Sequence, residues 1–198
     1  MTSLGLLLLR LVMGGLLVGH GAQKVYGMFG GRGPDGTGQM FEKVGLRPGR
    51  WWAQVGGSTE MTGGALTALG LLSPLGPLMT MAPMIVAWRK MHWGKPIWVT
   101  QGGAELPATN LAIAGALVLA GPGAISVDRV LGTRAPWWLS LVGIAGLTAG
   151  VAVALKGEIR EAAERLRTKE TEPERAEIEL VRERVEAADA APEDVRSS

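Results

Sequence analysis

The chain has 198 residues, 47% of them hydrophobic, with 30 glycines, seven tryptophans and a mean hydropathy of +0.21, a profile that excludes an ordinary soluble domain and fits a small helical membrane protein. Its net charge of +2 conceals two zones: residues 1–156 hold 12 basic against 5 acidic groups, whereas 157–198 hold 8 against 13. The basic groups lie between apolar runs and not on an aromatic-interleaved patch, which argues against nucleic acid, and the absence of cysteine excludes disulfides, thiolate metal sites, iron–sulfur clusters and a cysteine nucleophile.

Leu4 to Val18 is apolar except for Arg10 and runs into Gly19-His20-Gly21-Ala22-Gln23-Lys24. It is not read as a secretory signal, because no basic residue precedes it and no small-residue cleavage site follows. Met1 to Tyr26 is therefore a predicted first membrane helix. His20, Gln23 and Lys24 share one face by their spacing of three and four, and Arg10 falls on roughly the same stripe. Charge at membrane depth costs about 2.5 to 3.5 kcal/mol per residue, so such groups are expected to face the interior.

Gly27 to Arg50 is glycine-rich and polar, with a loop at Gly30 to Gly36 and a short amphipathic helix from Thr37 to Leu46, expected in the membrane interface. Without a preceding strand or a closing Gly-Lys-Ser/Thr, this loop is not a nucleotide site. A second span is predicted from Trp51 to Leu72, with Glu60 near its middle among small residues. A third, Leu75 to Met91, contains Pro77 and Pro83 and should be short or kinked.

A basic link with Arg89, Lys90, His92 and Lys95 leads to Gly102-Gly103-Ala104-Glu105-Leu106-Pro107 and a fourth helix that carries Asn110 and stops at Gly121. A polar link with Asp128, Arg129 and Arg134 precedes a fifth, uncharged helix from Pro136 to Leu155. All seven tryptophans fall at predicted helix ends or in the links beside them, the pattern of an aromatic belt. Two charged helical stretches, Glu158 to Arg167 and Glu174 to Ala188, follow on either side of Pro173. They read either as a solvated tail or as a docking helix for a partner. Basic residues are richest in the first and third links, which places those links and the tail in the cytoplasm and the N-terminus outside.

The motifs at 19–24, Phe29-Gly30-Gly31, Gly36-Thr37, Glu60-Met61-Thr62-Gly63-Gly64, 102–107 and Gly121 to Asp128 together resemble the DoxX family of small bacterial membrane proteins over roughly residues 4–130. The family pattern often has an aromatic before the Glu-Leu-Pro glutamate, where this chain has Ala104. The resemblance implies a bacterial plasma-membrane protein with a four-helix transmembrane core, here residues 1–130. The fifth helix (131–156) and the charged, partly helical C-terminal tail (157–198) depart from that pattern. It also implies association with redox and sulfur-stress complexes, including thiosulfate–quinone oxidoreduction.

The expected fold is thus an all-α membrane protein: a four-helix transmembrane bundle, a fifth span and a cytoplasmic tail. Two functional readings fit. In one, the chain is a membrane subunit of a redox complex that binds a quinone or another small apolar ligand, with His20, Gln23, Lys24, Glu60 and Glu105 around its polar head. In the other, it is a non-catalytic scaffold or transporter-like protein that recruits a soluble redox partner through its tail. Arg10 and Glu60 are expected to pair at mid-depth, with Asn110 and Asp128 in structural roles. His20 with Gln23 and Lys24 could equally cap a helix end and reach headgroups. The two histidines lack metal-ligand spacing, and no metal site is expected.

Overall fold

The computed structural model describes residues 2–133 and 135–189; Met1, the Arg134 counted in the last link and the end of the tail lie outside them. The described residues form helices α1 (Thr2–Val25), α2 (Gly33–Lys43), α3 (Gly49–Leu69), α4 (Leu75–Ala87), α5 (Glu105–Ala120), α6 (Val127–Val130) and α7 (Trp137–Asp189). A π-helical turn, Trp88–His92, extends α4, and a 3-10 turn, Val99–Gln101, precedes α5.

Helix ends follow local chemistry. The expected loop at Gly30 to Gly36 is shorter than its composition suggests. Pro34 presets the first turn of α2 and Asp35 sits at its positive end, so the helix begins at Gly33 and not at Thr37. The α3 helix ends on Gly70, whose φ of 62° is left-handed, and Leu71 N–H closes back on the Leu66 carbonyl at 3.0 Å. Ser126 caps α6 by accepting from the Arg129 N–H at 3.3 Å. In the tail, α7 runs through Pro173, where the sequence suggested a break; a proline removes one donor but leaves adjacent turns hydrogen-bonded.

The chain divides into two compact units, residues 1–154 and 155–198. In the first, α1 packs on α3 and α5, and α4 packs on the same two helices, so the four close a ring with α3 and α5 on its diagonal. The amphipathic α2 lies mainly against α3. Met13, Leu17, Met84, Ala114 and Leu117 fill the core between α1, α4 and α5. Within the second unit Ile159 and Leu180 are exposed along a charged helix.

Small residues set the register of α1 on α3. Gly14 faces Gly64 and Ala68, and Gly21 faces Gly57 and Met61, so the two backbones run antiparallel in near contact. A Cβ on Gly64 would lie 2.7 Å from the Gly14 carbonyl oxygen. By length and composition, Thr2–Val25 and Trp137–Glu164 are long and apolar enough to cross a membrane, and Glu105–Ala120 is apolar but shorter.

Candidate functional site: a polar-headed cavity in the bundle

The α1–α3 register decides where the interior charges go. It brings the last turn of α1 beside the middle of α3, where Lys24 Nζ donates to Glu60 Oε2. The Glu60 side chain is 4% exposed and that of Lys24 23%, so the carboxylate is interior and the ammonium reaches its rim. The same register carries Arg10 past Glu60 to the far end of α3. Arg10 is buried there against Gly70, with Nη2 donating to the Ile125 carbonyl. The expected Arg10–Glu60 pair is therefore not formed: mid-depth placement in neighbouring helices ignored their antiparallel offset.

His20, one turn before Lys24, is held by its neighbour. Gln23 Nε2 donates to the Phe29 carbonyl at 3.3 Å, which leaves Gln23 Oε1 as the acceptor 3.2 Å from His20 Nδ1. In the neutral ring this arrangement puts the proton on Nδ1. Phe29 presents its carbonyl from a left-handed conformation, φ 52°, a strained choice for a non-glycine residue.

Three of these groups border a cavity of about 310 Å³. His20, Lys24 and Glu60 form its polar edge, and its apolar walls include Met40 and Phe41 of α2, Trp52 of α3 and Pro107 of α5. The π-helical turn contributes Lys90, Met91 and His92, and His92 Nδ1 lies 2.7 Å from the Gly102 carbonyl. Asn110 also lines the cavity. Such a volume is at the lower end for small-molecule sites, which combine apolar walls with a few placed polar groups.

Two residues expected at this site are elsewhere. Gln23 does not line the cavity and acts on it only through His20. Glu105 is also outside: its carboxylate accepts from the Val99 N–H at 2.9 Å and fastens the 3-10 turn to α5. At the opposite end of the bundle, Asp128 accepts from the Leu72 N–H at 2.9 Å and the Ser73 N–H at 3.0 Å, tying the α3–α4 link to α6. Conversely, Met40 and Phe41 were legible only as the apolar face of an interfacial helix, yet that face closes the cavity. Among the described residues, no cluster of three or more acidic or histidine side chains could hold a metal ion.

Residues 5–93 match the family model DoxX, which spans α1 to the end of the π-helical turn and so includes His20, Lys24 and Glu60. No curated protein and no solved structure gives a match.

Proposed function

Because residues 5–93 belong to the DoxX family and the chain is accordingly a membrane protein, we propose that its helix bundle binds a small, largely apolar ligand whose polar head meets Lys24, Glu60 and His20. The observation that carries this reading is an ion pair with an interior carboxylate that opens onto a mostly apolar cavity. A pair needed only for stability could be replaced by apolar packing at little cost, whereas one at a cavity edge offers both a donor and an acceptor to an occupant. His20 adds a further polar group to the same edge. A quinone suits this arrangement through its carbonyls, and its reduced form through its hydroxyls. The chain then serves as a membrane subunit of a redox complex in the bacterial plasma membrane, with five spans, the N-terminus outside and the tail in the cytoplasm.

The test is gentle purification of the full chain with analysis of co-purifying quinones, lipids and proteins, alongside His20→Ala and a truncation lacking residues 168–198. The binding reading expects His20→Ala to lose the small molecule while the protein stays folded and keeps its protein partners. Unchanged ligand recovery in His20→Ala, with partner loss on truncation, would replace it by the scaffold reading.

A further inference from the structure

Asn110 places an amide on the wall of the cavity. It lies on α5, is only 9% exposed, and lines the cavity. Among the described residues its side chain makes one hydrogen bond, from Nδ2 to the Met84 sulfur at 3.5 Å. A thioether is a weak acceptor, so this contact leaves the amide oxygen and the second N–H unengaged. The amide oxygen has no protein partner among the described residues and is not sealed off, so an occupant of the cavity can reach it. Glu60 projects from α3 and Asn110 from α5, the diagonal pair of the ring, so the mostly apolar cavity has hydrogen-bonding groups on two opposed walls, with Lys90 and His92 of the π-helical turn also on its lining.

We infer that Asn110 is a second ligand contact, and that the cavity selects a flat apolar molecule with hydrogen-bonding groups at two opposite ends, one for Lys24–Glu60 and one for Asn110. This rests on the proposal that the cavity binds a ligand, and deepens it by assigning the residue that reads the far end. A purely structural Asn110 would tie α5 to α4 through Met84 and have no influence on which molecule is bound.

Three probes with the same six-carbon ring skeleton and the same four methyl positions separate these roles: duroquinone, with two opposed carbonyls; durenol, with one hydroxyl; and durene, with none. Binding of each to the full chain in lipid nanodiscs is measured by equilibrium dialysis. The wild type should bind duroquinone more tightly than durenol by about five- to tenfold, the scale of one net hydrogen bond. Asn110→Leu should erase that step while preserving the step from durenol to durene. Lys24→Met should weaken duroquinone and durenol together. Should Asn110→Leu fail to fold, Asn110→Ser, whose hydroxyl is too short to span the gap, should give the same loss.

Wild-type protein that does not distinguish duroquinone from durenol, or an Asn110 variant that keeps the wild-type ratio, overturns the assignment of Asn110. In that case binding that still depends on Lys24 leaves the cavity proposal standing. If none of the probes binds, and filling the cavity by Thr59→Trp changes nothing recovered with the protein, both the assignment and the cavity proposal fall.

Discussion

A buried carboxylate is tolerated only with its partner, and Glu60 has Lys24. Removing one member strands the other's charge or hydrogen-bonding capacity, at a typical cost of about 3 to 5 kcal/mol, whereas replacing both with apolar side chains is often close to neutral. Lys24→Met and Glu60→Gln should each lower the thermal midpoint in detergent, and Lys24→Met combined with Glu60→Leu should recover most of the loss. Arg10 gives the matching control. Because it bonds the Ile125 carbonyl at the other end of the bundle, Arg10→Leu and Glu60→Gln should be additive within about 0.5 kcal/mol. A strong coupling between them would contradict the register described above. The sequence exposed these residues readily, since each breaks an apolar pattern. It did not expose who meets whom, because partner choice depends on a helix offset that no single helix encodes. Asn110 and Glu105 show the same limit: similar polar residues near the start of one helix, of which one faces the cavity and the other fastens a turn.

At the scale of elements, that offset is written in glycines whose roles differ by face. Gly64 is pressed against the Gly14 carbonyl, while Gly15, one residue from Gly14, has nothing within 4 Å of the place a Cβ would occupy. Gly64→Ala should therefore cost on the order of 1 to 3 kcal/mol through overpacking against backbone. By contrast, Gly15→Ala should be neutral or stabilising by up to about 1 kcal/mol, because alanine favours the helix. Thermal unfolding of the two single variants checks both signs. The long apolar helices were legible from hydropathy and tryptophan placement, and the stop of α5 from Gly121, whereas the fifth helix, expected to end at Leu155, continues in α7 to Asp189. The start of α2 was not, because glycines around Pro34 read as loop, although Gly38 is needed for close approach to Gly49 and Arg50 of α3. Once packed there, α2 is tied by Glu42, which accepts from the Gly49 N–H at 3.0 Å, and by the exposed Asp35–Arg50 pair at 2.7 Å. Exposed pairs are worth about 0 to 1 kcal/mol, so Asp35→Asn should leave the midpoint almost unchanged.

For the whole molecule, the proposed five spans place the first link, the third link and the tail on one side. A reporter fused after Ser198 should be active only in the cytoplasm; activity on the outer side would reverse the arrangement. Composition alone separated an apolar, basic front from an acidic tail, and the family match falls wholly within the front. What the tail binds was not legible, since a charged helix with few apolar residues has the same pattern whether it docks or remains solvated.

Two of the links between helices are also fastened unequally. At one, Asp128 holds the Leu72 and Ser73 amides while Arg10 grips the Ile125 carbonyl; the other, from Gly27 to Pro48, rests on Gln23, Glu42 and one exposed ion pair beside a cavity. Amide protons sense that inequality directly, because exchange with solvent deuterium follows the free energy of local opening. Leu72 and Ser73 should therefore exchange slowly even though they lie in a link between helices, while amides in the α2 segment exchange sooner and slow down when the cavity is filled.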